Sequence, residues 1–204
     1  SNLSFNNIQI VEVYEMLVLN EQDQQNLLDM KEVIEEVGHA LQVFSEGKTE
    51  TPLRYVLPFN KENRYLVMPA LSDELNIVGI KTVTFAPNNP KLDKKTITGS
   101  VLLSDYDTGE TLAVLDGSYL TKIRTGAISG VATKYLARED AKTLCVIGAG
   151  DQAEGLIAAI LAVRDIEMLH ISSRTRAKAE NLAEFIKQTY HVPTKVFDEA
   201  DQAM

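Results

Sequence analysis

The residue pattern with the clearest chemical meaning is the run Gly-Ala-Gly-Asp-Gln-Ala at positions 148–153. An apolar, strand-like stretch (142–147) precedes it, a helical pattern (152–163) follows it, and a second strand-like stretch covers 168–172. In this order, the glycines allow a tight turn and a close approach to a pyrophosphate, which the helix N-terminus attracts. The alternative is a strand-to-helix turn that needs glycine for its geometry alone. The residues predicted to bind the cofactor are Gly148, Ala149, Gly150, Asp151, Gln152 and Ala153.

The end of the second strand-like stretch indicates which nucleotide would bind. Enzymes that use NAD commonly carry an acidic residue here to accept the ribose hydroxyls, whereas an arginine suits a 2′-phosphate. The chain has Ser173, Arg174 and Thr175 at this point and no acidic residue. The sequence therefore favours NADP over NAD, with these three residues as phosphate ligands. Alternatively, Arg174 stacks on the adenine or faces solvent.

Three basic residues elsewhere are candidates for binding a small acidic substrate. Lys81 lies on the otherwise apolar face of a strand-like stretch (77–85), where burial would lower its pKa and suit it to proton transfer or to holding a carbonyl oxygen. Arg124 lies among small residues, where a substrate carboxylate would offset its charge. Arg54 begins another strand-like stretch and is uninformative alone. The alternatives are an aggregation-blocking lysine on an edge strand and an internal salt bridge of Arg124.

The composition argues against several classes of partner and site. With 29 acidic and 20 basic residues, the net charge of −9 repels nucleic acid, and no basic cluster offsets it. No apolar run approaches the roughly 18 residues needed to span a bilayer, so no membrane partner is expected. The single cysteine excludes an intrachain disulfide and fits a cytoplasmic protein. The three histidines lack the spacing of metal ligands, so no metal is expected.

The elements that must position these residues differ between the two halves of the chain. Strand patterns over 13–19, 53–59, 65–70, 77–85, 97–105 and 111–115, with a hairpin turn at 107–110, make the first half α+β and largely antiparallel. A capping box formed by Asp29 and Glu32 would open a helix in this half. The apolar face of that helix would carry Val33, Val37, Ala40, Leu41 and Phe44.

A long helix over 118–137 is predicted to bridge the two halves. Gly126 and Gly130 in it each cost about 1 kcal/mol of helix stability against alanine, so a second backbone is expected to approach there. Beyond it, strands and helices alternate and then stop, which gives only the first half of a Rossmann-type, doubly wound domain. The predicted fold class is α/β: an α+β domain (1–117), the bridging helix (118–137) and an apparently truncated NAD(P)-binding domain (138–204).

Several stretches of the central segment carry a family likeness. They read Thr-Ile-Thr-Gly-Ser-Val-Leu-Leu-Ser-Asp at 96–105, Thr-Gly-Glu-Thr-Leu-Ala at 108–113, Asp-Gly-Ser-Tyr-Leu-Thr at 116–121 and Arg-Thr-Gly-Ala at 124–127. Together they closely resemble the ornithine cyclodeaminase/mu-crystallin family. The resemblance extends over the whole chain in the order of its parts. Its segment 96–137 is specific, whereas the turn at 148–153 is shared by many nucleotide enzymes.

The resemblance implies site roles and an assembly. Arg54 and Arg124 would hold the substrate α-carboxylate, while Lys81 would contact that carboxylate or the reacting carbonyl or imine group. The family's catalytic aspartate would lie beyond Met204. Residues 1–117 would serve substrate binding and dimerisation in a homodimer. The similar Asn-Arg-Thr pattern of mu-crystallin supports phosphate binding by Ser173, Arg174 and Thr175.

The resemblance also implies an activity. It is hydride exchange at the Cα of a small amino or imino acid with NADP or NAD, as ketimine reduction, amino-acid dehydrogenation or cyclodeamination of ornithine to proline. Ser173 counts against ornithine cyclodeaminase itself, which would call for an aspartate there. The alternative is a non-catalytic protein that binds cofactor and a small ligand, in the manner of mu-crystallin.

Overall fold

The computed structural model describes residues 16–204 of the chain. A six-stranded sheet in the order β1-β6-β5-β4-β3-β2 occupies the first half, and its neighbours pair antiparallel except β1, which runs parallel to β6. Its strands are β1 (Leu17–Leu19), β2 (Tyr55–Phe59), β3 (Asn63–Ser72), β4 (Ile77–Phe85), β5 (Ile97–Asp105) and β6 (Thr111–Asp116). The largely antiparallel prediction is confirmed. Of the strand predicted over 13–19, positions 13–15 lie outside the described residues.

The second half forms a three-stranded parallel sheet in the order β7-β8-β9. Its elements are β7 (Thr143–Ile147), α4 (Ala153–Val163), β8 (Met168–Ser172), α5 (Arg176–Tyr190), β9 (Thr194–Phe197) and the short α6 (Ala200–Ala203). Strand and helix alternate, as in one half of a Rossmann-type sheet. The predicted α/β fold class is confirmed. Leu169 and Ile171 on the central strand are fully buried, and they pack with Ile157 of α4 and Ile186 of α5.

The remaining helices are α1 (Glu21–Leu27), α2 (Met30–Ser45) and α3 (Gly117–Leu136), and a 3-10 helix spans Asn89–Leu92. Each α-helix of this group begins at a side chain that accepts backbone N–H groups. Asn20 and Asp23 form a reciprocal capping box at α1, and Asp29 accepts from two N–H groups at α2. Asp116 accepts from the N–H groups of Ser118 and Tyr119, which fixes the start of α3. The helix predicted over 118–137 is present as α3, within a residue of those bounds. Within residues 16–204, every helix is too short or too polar to cross a membrane.

Helix α2 buries a different face from the predicted one. Ile34 and Val43 are buried, whereas Leu41 and Phe44 are exposed. The reason is that α2 packs on α3 at Gly130, where the Ile34 side chain occupies the space that a Cβ would fill: an added Cβ would lie 2.7 Å from Ile34 Cδ1. The prediction that Leu41 and Phe44 share the buried face is therefore wrong.

Helices α3 and α4 cross with their backbones in contact. A Cβ added at Gly126 would lie 2.1 Å from the carbonyl oxygen of Gly155, and one added at Gly155 would lie 2.5 Å from the carbonyl oxygen of Lys122. The second backbone expected near Gly126 is therefore that of α4. Lys122 also donates to Glu154 across the crossing, at 2.9 Å. Because α3 packs on the first sheet and on α4 of the second half, this crossing joins the two halves of the chain.

Candidate functional site

The glycine turn after β7 leaves its backbone open on one side. Gly148 has φ of +111°, a conformation that side chains disfavour, and its N–H donates to the Ser172 carbonyl at 2.7 Å. A Cβ added at Gly148 or Gly150 would have no other atom within 4 Å. Helix α4 then begins at Ala153, whose N–H donates to the Gly150 carbonyl at 2.9 Å. The turn therefore leaves open space beside a helix N-terminus, which suits a pyrophosphate.

A cavity of about 780 Å³ opens beside this turn, at the carboxyl ends of β7, β8 and β9. Six of the nine predicted cofactor residues line it: Gly148, Ala149, Gly150, Ser173, Arg174 and Thr175. Asp151 and Gln152 are exposed and do not line the cavity, and Ala153 is buried in the core under α4. In open α/β sheets, ligands bind at this end of the strands. The cavity and turn therefore fit a dinucleotide.

The cavity also contains residues that the sequence patterns did not indicate. Arg176 and Lys178 come from the first turn of α5, and Asp198 and Glu199 follow β9. Arg176 pairs with Asp198 and with Glu180, the latter at 2.8 Å, so its charge is already met within the protein. The basic residues just after Thr175 could have been recognised in the sequence as further cavity residues. Asp198 was not, because only the pairing of β9 with β8 brings it to the cavity.

Lys81 lies on a central strand of the first sheet, since β4 has β3 on one side and β5 on the other. The alternative of an edge-strand lysine is therefore wrong. Its ammonium donates to the hydroxyl oxygen of Thr121 on α3, at 2.5 Å. Burial, and then the nearby positive charge of Arg124, lower the pKa of Lys81 below its ordinary value. The predicted partial burial of this lysine is confirmed.

Arg124 lies one helical turn after Thr121 and is exposed. Arg124 takes part in none of the salt bridges within residues 16–204. The alternative of an internal salt bridge is therefore wrong. Its positive charge instead acts on Lys81. Two cations held near each other without a carboxylate between them attract a bound anion.

Arg54 is the residue that immediately precedes β2, and it is exposed. The last pair between β2 and β3 is Tyr55 with Val67. Continuing this register by one residue places Arg54 opposite Met68, and Met68 in turn pairs with Lys81 on β4. Two strand spacings, about 10 Å, separate positions aligned in this way. The structure thus brings Lys81 and Arg124 together, while Arg54 stands two strands away without a hydrogen bond to either.

Two other side chains bear on the site predictions. Burial raises the pKa of the Cys145 thiol, as expected for a packed cysteine on β7. His170 uses its Nδ1 in a 2.8 Å contact with the Ala203 carbonyl. Among residues 16–204, no group of three or more histidine, cysteine or acidic side chains is arranged to hold a metal ion.

The open glycine turn on a parallel sheet, joined through α3 to a sheet that carries the cations Lys81 and Arg124, is typical of a Rossmann-type nucleotide-binding protein. The sequence model of the ornithine cyclodeaminase/mu-crystallin family matches residues 14–204. The chain belongs to this family, which confirms the resemblance.

Several of its relatives carry the names of enzymes that act on amino or imino acids. A Δ1-pyrroline-2-carboxylate reductase of Bacillus cereus is 50% identical over 190 residues, which are 93% of this chain and 58% of the relative. The structure of Thermococcus litoralis Δ1-pyrroline-2-carboxylate reductase in complex with NADH and L-proline superposes with a TM-score of 0.84 at 37% identity, covering 92% of this chain and 58% of that one. An archaeal alanine dehydrogenase dimer with bound NAD gives 0.83 at 30% identity, covering 92% and 57%. The chain thus spans 58% of the length of the Bacillus cereus relative.

Proposed function

We propose that the full-length protein is an NAD(P)-dependent imino acid reductase that reduces a cyclic ketimine carboxylate of the Δ1-pyrroline-2-carboxylate type. The observation that carries the proposal is the joining of two sites by one helix: α3 contributes Arg124 and the partner of Lys81, and it crosses α4, which begins at the nucleotide turn. The 50% identity to a reductase of this substrate supports the substrate class.

The residues divide into those for the cofactor and those for the substrate. The backbone of the turn at Gly148 and Gly150 holds the pyrophosphate. When bound, a reduced nicotinamide would supply the hydride for the imine carbon, and a proton must reach the imine nitrogen. Arg124 holds the substrate carboxylate, and Lys81 contacts the carboxylate or the imine group. Arg54, which is aligned with Lys81 across the strands of the sheet, contributes a third positive charge to the substrate site.

We also propose NADP(H) as the preferred cofactor. Ser173, Arg174 and Thr175 line the cavity without an acidic residue among them, and Lys178 adds a positive charge. Asp198 pairs with Arg176, so its negative charge is partly offset. A 2′-phosphate is expected to bind beside Arg174. Because two relatives were solved with NADH and NAD, the ratio of kcat/KM with NADPH to that with NADH tests this preference.

A second copy of the chain is the proposed partner. Tyr55, Leu57 and Phe59 alternate along the edge strand β2 and all three are exposed. They pair with Val67, Tyr65 and Asn63, so they lie on the sheet face opposite Lys81. Such a face is suited to burial between two subunits, and the similar alanine dehydrogenase is described as a dimer. Light scattering of the full-length protein tests this, and Leu57→Glu should lower the molar mass to that of a monomer.

The proposed organisation keeps the boundaries drawn from the sequence: substrate binding and dimerisation in 1–117, the bridge over 118–137 and cofactor binding from 138. We propose a cytoplasmic location on the grounds of the single cysteine and the nicotinamide cofactor. Fractionation of the source cells, followed by immunoblotting, tests the location. Recovery in the membrane or exported fraction would contradict it.

The decisive experiment measures oxidation of NADPH and NADH by the full-length protein, followed by absorbance of the reduced nicotinamide. The substrates are Δ1-pyrroline-2-carboxylate, its six-membered analogue, and pyruvate with ammonia. We expect the cyclic imino acids to be reduced and the five-membered one to give proline. L-Ornithine with NAD serves as the cyclodeaminase control and should give no proline. Tight cofactor binding without turnover of any substrate would instead favour the non-catalytic binding protein.

A further inference from the structure

We infer that Thr121 is a positioning residue for the substrate site: its hydroxyl group fixes the ammonium of Lys81 at a set place relative to Arg124. Nothing in the sequence patterns indicated a role for this threonine. The inference rests on the proposed function for its kinetic readout, and it has a second readout that does not.

The direction of the hydrogen bonds at Thr121 is determined by chemistry. Its hydroxyl group donates to the carbonyl oxygen of Gly117, one turn earlier on α3. Because this bond uses the single hydroxyl hydrogen, only the lone pairs of the oxygen remain for Lys81, whose ammonium can only donate. The two bonds are therefore compatible in one arrangement, and the ammonium lies where the oxygen lone pairs point.

The far end of this chain of bonds is itself fixed in place. Gly117 packs so closely on β5 that an added Cβ would lie 2.8 Å from the backbone carbon of Gly99 and 2.9 Å from the nitrogen of Ser100. The side chain of Asp116 caps the first turn of α3 through Ser118. These contacts hold the start of the helix against β5, and Thr121 links this position to Lys81.

The hydrogen bond from Lys81 to Thr121 counteracts the repulsion between Lys81 and Arg124. Arg124 follows Thr121 by three residues, so both side chains lie on neighbouring positions of one helix face. The charge of Arg124 disfavours a second positive charge nearby, and a free lysine side chain would swing away from it. The Thr121 oxygen holds the ammonium against this repulsion. The pair is then ready to receive one carboxylate without further ordering.

The test compares Thr121→Val, which keeps the shape but removes the hydroxyl group, with Thr121→Ser, which restores it. Thr133→Val is the matched control, because Thr133 lies three turns further along α3 and its side chain makes no hydrogen bond within residues 16–204. In the full-length protein, Thr121→Val is expected to lower kcat/KM for the imino acid about tenfold, as for loss of one hydrogen bond to a charged group. Thr121→Ser should recover most of that loss, and Thr133→Val should show none.

The second readout is the pKa of Lys81, measured by NMR titration of 13Cε-labelled lysine and assigned through Lys81→Met. Removing the acceptor oxygen leaves the charged ammonium less stabilised, so Thr121→Val should lower this pKa further. If charged Lys81 is needed for turnover, the basic limb of the pH–kcat/KM profile moves to lower pH by the same amount. Thr121→Ser should restore both values.

The two readouts separate the inference from the proposed function. A wild-type protein that reduces no imino acid contradicts the proposed function, yet the NMR titration still tests Thr121. An unchanged pKa and unchanged kcat/KM in folded Thr121→Val would overturn the inference. So would equal losses in Thr121→Val and Thr121→Ser, because that pattern indicates packing and not the hydroxyl group.

Discussion

Two groups of glycines in this chain meet opposite needs. At the α3–α4 crossing, Gly126 and Gly155 are packed so tightly that a Cβ on either would penetrate the other helix. At the nucleotide turn, Gly148 and Gly150 face open space beside a cavity. The first group lets two backbones touch, whereas the second leaves room for a ligand. For these two groups, the sequence alone does not tell whether protein or ligand approaches the glycine, and only the fold distinguishes them.

The largest effect is expected at the crossing. In Gly126→Ala the new methyl group would lie 2.1 Å from a backbone oxygen, which cannot rotate away as a side chain could. We expect the free energy of unfolding to fall by about 3 kcal/mol or more, measured by urea denaturation of the full-length protein. The matched control is Gly150→Ala, for which a change within about 0.5 kcal/mol is expected. Equal stability of the two variants would contradict the comparison.

Gly150→Ala should instead weaken binding of the nicotinamide cofactor. Its methyl group would fill the space through which the backbone approaches the pyrophosphate, so at least two phosphate hydrogen bonds are expected to weaken. We expect the Kd for the preferred nicotinamide cofactor to rise on the order of 100-fold, measured by calorimetry. A Kd equal to that of the wild type would show that the turn needs glycine only for its geometry.

The sequence predicted those features that depend on local pattern. The alternation over 77–85 placed Lys81 correctly on an otherwise apolar strand face, and β4 has the predicted bounds. The small residues around Gly126 correctly indicated a close backbone approach, since no other benefit offsets their cost to the helix. The glycine turn and its flanking elements were predicted to within a residue or two, because strand, turn and helix each carry their own signal.

The features that were missed depend on contacts between distant segments. Helix α1 has no apolar face to show a helical period, and its buried Gln24 donates to the carbonyl of Asp116, far along the chain. The buried face of α2 is set by Gly130 of another helix, so periodicity alone selected Leu41 and Phe44 wrongly. The roles of the predicted site residues stay predictions, which the variants below address.

Arg124→Ala tests whether packing and ligand binding are separate functions of the same helix. Helix α3 packs on α4 through one face and carries Arg124 on another. Removing the guanidinium should lower kcat/KM for the imino acid about 30-fold, as expected when a charged hydrogen-bonding partner of the carboxylate is lost. Stability and cofactor Kd should stay as in the wild type, since Arg124 is exposed and has no salt bridge within residues 16–204. An equal loss of cofactor affinity would assign Arg124 to the nucleotide site instead.

The smallest effect is expected from Arg174→Asp on the nucleotide side. The substitution replaces a cation in the cavity by a carboxylate, which repels a 2′-phosphate and accepts the ribose hydroxyl groups of NADH. The ratio of kcat/KM with NADPH to that with NADH should fall about tenfold, because the site is open and solvent screens the charges. Lys178→Met serves as a control for loss of positive charge alone, and a smaller fall is expected because no acceptor for the hydroxyl groups is gained. A ratio unchanged in Arg174→Asp would mean that the arginine stacks on the adenine or faces solvent, and the nucleotide turn would then bind either cofactor through its open glycines alone.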